Sequence, residues 1–499
     1  MVDSQVYIVE MQPELPNWGT HLCCPTYGVP LLATILRKRG VNAEALVEGV
    51  SQFQLADLLQ ADVICFSVMT CSAKKTYALA DELRRNGKLV VFGGTHATYF
   101  PRSCLNHSDY VVRGEGDVIL PSLVTALRDH TAVCDIPGIS YRAGGTIVST
   151  RIPPVPEDLS TVADWATIRG FCDPHARKRF VRYQVPVQTS RGCRHSCSFC
   201  VAATMFGGCY RKRPIPSVLE EIRNAASISS RIMFVDNDFV GATHNDRAHT
   251  RELCKRISGL RLSLDIAAYT TVSVARYPQL LRQMYSAGIR TLCLGLESLN
   301  EHSLREYKKH QTVGDIPVAV KQLTEFGFSV SASFMVGIDG EDSKSVLQIA
   351  EVARRWGLHA IYFFVLSPYP NMTELVPANR IFLTEWKFGT GHFVYFLPAS
   401  DPPSALQTAM IKATRQFYSY PRIMSLFLRL RWRQATQTLV RRLAFRPIGK
   451  AMEAYVSLLT TLERPFYAAN GELDPVALQR GCSRILDWDN ELTIEEVTP

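Results

Sequence analysis

Three cysteines stand close together in the run Thr189-Ser190-Arg191-Gly192-Cys193-Arg194-His195-Ser196-Cys197-Ser198-Phe199-Cys200. Three and then two residues separate them, which puts Cys193, Cys197 and Cys200 in one tight loop. Thiolates are soft ligands that suit iron–sulfur clusters or zinc. A cubane cluster has four irons, so a trio of cysteines leaves one iron without a protein ligand. An outside molecule can bind and react at such a vacancy, as it does at the open position of a catalytic zinc. The other reading is a zinc loop with His195 or Cys209 as fourth ligand. Structural zinc sites usually join two knuckles, and no second knuckle is present. Unrelated core cysteines fit less well, because Arg, His and Ser interleave the three and make the loop polar.

The elements around this loop fall into two series. Over residues 1–134, apolar runs (Val6–Val9, Val63–Ser67, Leu89–Phe92, Tyr110–Arg113) alternate with helical patterns such as Val29–Arg39 and Ser72–Asn86. Short continuous apolar strands between helices predict a doubly wound, Rossmann-like parallel sheet. Its ligand is expected outside the carboxyl ends of the strands, at Glu10–Gln12, Ser67–Thr70, Gly93–His96 and Gly114–Gly116. Residues 135–183 are rich in Pro and Gly and read as a hairpin and linker. Six further strand candidates (Val185–Thr189, Ile232–Val235, Leu262–Ala267, Thr291–Leu294, Val330–Val336, Ala360–Val365) alternate with amphipathic stretches over 184–375. That rhythm predicts a partial (β/α)6 barrel with its chemistry at the C-terminal strand ends, where the cysteine loop falls. Residues 376–499 read as a helical, basic module.

The loop Cys193-x3-Cys197-x2-Cys200 after a strand, with Phe199 beside its last cysteine, resembles the radical S-adenosylmethionine (SAM) enzymes. Further segments resemble the branch with an N-terminal cobalamin (B12)-binding domain. They are Ile232–Phe239 at the second barrel strand, Gly295-Leu296-Glu297-Ser298 at the fourth and Phe334–Glu341 at the fifth. Upstream, Gly93–Thr98 and Val112–Asp117 resemble that branch's cobalamin domain, so the likeness spans roughly residues 5–370 in order. It is to the group that includes hopanoid C-3 methylase and the anaerobic Mg-protoporphyrin ester cyclases.

The resemblance implies a [4Fe–4S] cluster held by Cys193, Cys197 and Cys200, with SAM on the open iron. One-electron reduction then yields a 5′-deoxyadenosyl radical that abstracts hydrogen from an unactivated carbon, and in this branch cobalamin typically delivers a methyl group to it. By position, Phe199 packs against the adenine, or is simple loop packing. Asp236 and Asp238 bind the SAM amino group or order the residues around it, and Glu297 bonds the ribose or amine unless it is a satisfied core carboxylate. Ser67, Met69, Thr70, Gly93, Gly94 and His96 lie over the corrin, with His96 either an axial ligand or a residue ordering its loop. Arg211 and Arg213 form a solvated face or a carboxylate clamp.

Two departures stand out. The Asp-x-His-x-x-Gly signature that carries a lower axial His is missing, Glu44–Gly49 having no histidine, and relatives' Pro-x-Pro-Gly-Thr is replaced by Pro368-Tyr369-Pro370-Asn371-Met372-Thr373 on the expected substrate side.

Composition bounds the rest. With 46% hydrophobic and 20% charged residues over 499, the chain has a packed core. No charge-free apolar run reaches the ~18 residues a bilayer span needs, and the N-terminus lacks a secretory signal, so a cytoplasmic protein is expected. The fourteen cysteines are dispersed, which argues against a disulfide framework. Net charge is +9, but ten basic and no acidic residues lie between Asp401 and Glu453. Charge confined to one module argues against nucleic-acid binding. Tyr420–Arg446, with Ile423, Leu426, Phe427, Leu430 and Trp432 among arginines, predicts either a basic amphipathic helix at an anionic membrane surface or a helix packed on the barrel. The expected partners are thus a small-molecule or lipid-like substrate, an electron donor such as flavodoxin or ferredoxin, and peripheral membrane. The leading function is cobalamin-dependent C-methylation of an apolar, tetrapyrrole-like or natural-product substrate. The alternatives are an oxidative cyclase or rearranging enzyme without methyl transfer, and a non-catalytic metal-binding protein.

Overall fold

In the computed structural model, residues 5–19, 24–173, 184–367, 375–376, 380–382, 385–467, 473–474 and 477 are described. The replaced Pro368–Thr373 segment lies outside them. Strands β1 (Gln5–Glu10), β2 (Asn42–Val47), β3 (Val63–Ser67), β4 (Leu89–Gly93) and β5 (Tyr110–Val112) form a parallel sheet in the order β2-β1-β3-β4-β5. Their side chains alternate between two separate apolar clusters, Val6, Ile8 and Cys65 in one and Tyr7, Val9 and Phe66 in the other. This two-sided burial explains the continuous apolar runs. The chain reverses direction between β1 and β3, so the crevice at their carboxyl ends is the expected ligand position. Strand β2 (NAEALV) carries Asn42 and Glu44 and escapes a search for apolar runs. The hairpin β6 (Ile139–Ala143) and β7 (Thr146–Ser149) adds two antiparallel strands beside β5.

The second sheet begins with β8 (Val185–Val187). A short antiparallel pair, β9 (Ser190–Gly192) and β10 (Tyr210–Lys212), stands beside it and brackets the cysteines. Then come β11 (Arg231–Phe234), β12 (Asp265–Thr270), β13 (Ile289–Glu297), β14 (Ser329–Val336) and β15 (Ala360–Val365), giving the parallel order β8-β11-β12-β13-β14-β15. All six strands anticipated from the sequence are present. One face, with Ile266, Leu292, Leu294, Val330, Phe334 and Ile361, is fully buried in the core. The registered neighbours on the other face are small or polar: Tyr269 beside Cys293, Cys293 beside Ser331, Gly295 beside Ser333, and Ser333 beside Tyr362. The edge strand β15 is closed by Tyr418, whose hydroxyl donates to the Ile361 carbonyl (2.8 Å) and accepts from its N–H (3.0 Å).

Helices Pro403–Phe417, Tyr420–Leu428 and Trp432–Glu463 complete the molecule. The basic stretch is therefore two helices rather than one, broken where Leu430 takes a left-handed φ of 58°. Ile423 and Leu426 pack inward, while Met424, Leu428, Leu430 and Trp432 are exposed. Arg433 reaches Asp265 at the start of β12 (3.2 Å), so this apex lies at the N-terminal ends of the strands, opposite the cysteine loop. Among the described residues no helix is long and apolar enough to cross a membrane.

Candidate active site

The cysteine loop is anchored from below by Asp236. Its Oδ1 accepts from the Ser190 hydroxyl (2.5 Å), the Thr189 hydroxyl (2.8 Å) and the Thr189 N–H (3.1 Å). Both oxygens face the turn from β8 into β9, and burial pushes this carboxyl up to about 6. Gly192 then turns the chain at φ 85°, and a Cβ there would run into the Cys209 carbonyl. Glycine lets β9 and β10 close around the loop.

Cys197 is buried, and Cys193 and Cys200 are half-buried. Burial pushes the Cys193 thiol up to about 11 and raises Cys197 too, and each responds to the charge on the other two cysteines or on Cys200. Burial thus favours the neutral thiol at Cys193 and Cys197, and a metal would displace those protons. Among the described residues no three His, Cys, Asp or Glu gather tightly enough to share one metal ion. Three soft thiolates on one loop fit a cubane with one open corner. The loop is held in place by backbone contacts, Ser198 N–H to the Tyr307 carbonyl (3.3 Å) and Cys197 Sγ to the Lys308 carbonyl (3.8 Å).

Around it the structure gathers the anticipated Asp238, Phe199 and Glu297 and two unanticipated residues, Tyr307 and Lys309. Asp238, buried, accepts from the Thr270 hydroxyl (3.2 Å) and lies 3.4 Å from His195 Nε2 within the loop. Phe199 stands edge-on to Tyr307 with ring centres 6.2 Å apart. Glu297 ends β13 in a left-handed conformation (φ 64°), strain that a non-glycine residue keeps only where the surroundings impose it. Its carboxylate folds back over Gly295, where any Cβ would collide with it, and pairs with Lys309 at 3.1 Å. The Lys309 ammonium also lies 5.9 Å from the centre of the Phe199 ring. Burial works against its charge, yet the Glu297 carboxylate holds its pKa above the ordinary lysine value. Lys309 thus joins the cysteines, Phe199 and Glu297. No sequence signal marks it, because it arrives from a loop 12 residues after Glu297.

The strand ends of the N-terminal sheet meet this region. Ser67 pairs with Gly93 at the ends of β3 and β4, and Ser67, Met69, Thr70, Gly93 and Gly94 are all half-buried. Gly94 has φ 92°, and a Cβ there would sit 3.0 Å from the Val68 carbonyl. His96 is fully buried. Its Nε2 bonds the Tyr77 hydroxyl (2.7 Å) and its Nδ1 the Thr70 hydroxyl (3.2 Å), with Phe100 and Trp386 against the ring. Burial lowers its pKa to about 3, so it is neutral, and both nitrogens are spent within the domain. The helix Val201–Met205, which follows Cys200, touches this edge: Tyr99 bonds Thr204 (2.9 Å) and Thr95 reaches Met205 Sδ (3.7 Å).

A buried charge cluster locks the two domains. Arg191 donates to Glu115 (2.6 Å) and Asp117 (2.8 Å), and Arg211 also pairs with Glu115. Arg213 pairs with buried Glu221 (2.9 Å) and donates to three carbonyls. Both arginines after the loop are carboxylate clamps, not a solvated face.

Comparison with known proteins matches both domains. The B12 binding domain profile matches residues 20–124 and that of the Radical SAM superfamily residues 187–353. The chain is 28% identical over 82% of its length to an anaerobic magnesium-protoporphyrin IX monomethyl ester cyclase of Cereibacter sphaeroides, covering 70% of that protein. It is 24% identical over 78% of its length to the hopanoid C-3 methylase of Methylococcus capsulatus, covering 76% of it. Its fold is similar to the radical SAM methyltransferase TsrM of Kitasatospora setae, solved with cobalamin and a [4Fe–4S] cluster (TM-score 0.63, 18% identity, 83% of this chain and 85% of that one). The matched domains bring SAM with a [4Fe–4S] cluster, and cobalamin, as cofactors. The chain thus joins a B12 binding domain, over residues 20–124, to a radical SAM domain, over residues 187–353.

Proposed function

We propose that this chain is a cobalamin-dependent radical SAM C-methyltransferase acting on an apolar, tetrapyrrole-like, lipid or natural-product substrate. The observation that carries the proposal is the direct contact between the two cofactor regions. The helix leaving Cys200 bonds the Thr95–Tyr99 edge of the B12 domain, so the two cofactor regions meet there. When bound, the cluster and SAM supply a carbon-centred radical, and cobalamin supplies a methyl group.

The chain's own residues position and shield these groups. Cys193, Cys197 and Cys200 hold the cluster. Phe199 offers a face for the adenine, and Glu297 with Lys309 presents a paired carboxylate and ammonium to SAM. Asp238 takes the SAM amino group or fixes His195, while Asp236 fixes the turn that carries the loop. Ser67, Met69, Thr70, Gly93 and Gly94 form the bed for the corrin. His96, with both nitrogens engaged, shapes that bed rather than reaching a metal. Trp386 covers His96 and Phe100 and helps exclude water.

The cyclase likeness favours a second reading, oxidation or ring closure without methyl transfer. Anaerobic reconstitution with hydroxocobalamin and methyl-labelled SAM separates the two. Deoxyadenosine together with labelled cobalamin supports methyl transfer, and deoxyadenosine with unlabelled cobalamin supports cyclisation. A reduced flavodoxin or ferredoxin fits as the electron source.

The exposed Met424, Leu428, Leu430 and Trp432, rimmed by Arg429, Arg431 and Arg433, fit peripheral contact with an anionic bilayer. Because this apex lies opposite the cluster, bilayer contact would tether the protein rather than feed its active site.

A further inference from the structure

Arg441 enters the molecule from the long C-terminal helix and approaches the open face of the barrel sheet. Its Nε donates to the hydroxyl of Tyr362 in β15 (3.3 Å), and Cys293 in β13 lies within reach of its charge. Its Nη1 is closed off from solvent and has no hydrogen-bond partner. No carboxylate pairs with it among the described residues. The titratable groups within reach of it are Tyr362, Tyr418, Cys293, His359 and a second cation, Arg422, and burial pushes the Cys293 thiol up to about 12, so that group supplies no anion.

A guanidinium stays charged at any physiological pH, and burying it unpaired costs several kcal/mol by general estimates. Other buried guanidiniums in this chain are satisfied: Arg191, Arg211 and Arg213 each hold a buried carboxylate, and Arg422 donates to the Phe417 and Leu358 carbonyls. Arg441 is placed differently. Tyr362 is the third residue of β15, so the guanidinium lies deep in the sheet, below the strand ends that carry Glu297 and the cysteine loop. On the same sheet face Tyr269 and Phe364 remain 44% and 39% exposed, leaving aromatic walls without a packed filling. Trp18 stacks on Phe445 of the same helix and meets Tyr362 edge-on, closing one side.

We propose that Arg441, with the Tyr362 hydroxyl beside it, binds a carboxylate of the substrate at the floor of the barrel, so that the remainder of the substrate extends toward the cluster. The planar fork of a guanidinium matches a carboxylate, and among the described residues no lysine joins it as a phosphate site would favour. This deepens the proposed function by requiring an acidic group on an otherwise apolar aromatic substrate.

The test uses the full-length, anaerobically purified protein, with benzoate as probe and benzamide as its uncharged counterpart, read by thermal unfolding. Benzoate should raise the Tm of the wild type and benzamide should not. Arg441→Gln should weaken apparent benzoate affinity roughly 10- to 100-fold, the loss expected for a charge-assisted hydrogen bond. Arg441→Lys keeps the charge and should retain a reduced response, which covers the case in which Arg441→Gln misfolds. Equal effects of benzoate and benzamide on the wild type, or an undiminished benzoate response in either variant, overturn the proposal. The measurement needs no turnover, so failure of the methyl-transfer reading leaves it intact, and its own failure leaves SAM cleavage untouched.

Discussion

The central strands of the N-terminal sheet bury side chains on both faces, Val6 and Ile8 on one and Tyr7 and Val9 on the other, whereas the barrel sheet buries one face and leaves Tyr269, Cys293, Ser333 and Tyr362 on the other. A sheet sealed on both sides can hold a ligand only beyond its strand ends. A sheet with an open face of small and polar residues can take one inside. The first is thus suited to a cofactor laid across an edge, and the second to a substrate held between a floor and a reactive rim. The two are joined where the edge of one meets the cluster loop of the other.

The comparison can be broken most forcefully at the cysteines. Cys197→Ala should abolish the brown cluster absorbance and SAM cleavage while cobalamin binding by the N-terminal sheet survives; concurrent loss of both would show that the sheets do not work separately. Next in size is Lys309→Met, which strands the buried Glu297 carboxylate. It should cost about 3–5 kcal/mol by chemical denaturation and weaken SAM binding. Adding Glu297→Gln should recover much of the stability but not the binding, and simple additivity would argue that the pair is not coupled.

A paired glycine experiment sharpens the contrast. Gly192→Ala forces a side chain into the Cys209 carbonyl at positive φ and should cost about 2–4 kcal/mol, with reduced iron content. Gly94→Ala meets the Val68 carbonyl less severely, and should weaken cobalamin binding with normal iron content. Exchange of these two phenotypes would invert the assignment of cofactors to sheets.

The sheets should also differ in their response to acid. Asp236 has its folded pKa raised to about 6 by burial, so its contribution to stability is present at low pH and is lost as pH rises from about 4 through 6. His96 has its folded pKa lowered to about 3, so its contribution is present above about 6.5 and is lost as pH falls. Between pH 4 and 6.5, Asp236→Asn should remove a decline of stability with rising pH, and His96→Gln should remove a rise. Denaturant melts across that window check both signs. The smallest effect is expected at the apex: Leu428→Glu with Leu430→Glu should reduce co-sedimentation with anionic vesicles and leave stability within about 0.5 kcal/mol, as exposed positions do.

Much of this arrangement was legible in the residues themselves. The cysteine spacing placed the loop, and apolar residues marked all six barrel strands, because each buries one face in the core. Strand β2 escaped notice because Asn42 and Glu44 interrupt its pattern. Lys309, Tyr307, Trp386 and Arg441 carried no signal either, since each reaches its position through packing between segments distant in the chain. Charge counting found the basic module but not its break at Leu430, where a leucine adopts the backbone conformation normally left to glycine. Arg211 and Arg213 looked alike in sequence. Only the fold shows that Arg211 holds Glu115 of the N-terminal domain while Arg213 holds Glu221 and the Leu159 and Thr161 carbonyls.

The central claim is that three thiolates hold a cubane whose fourth iron is open to SAM. Electron paramagnetic resonance of the dithionite-reduced, anaerobically prepared protein, recorded before and after adding SAM, tests it most directly. A reduced [4Fe–4S] signal whose g values shift when SAM is added is the expected result. Zinc in place of iron, or an iron signal that SAM leaves unchanged, would contradict it.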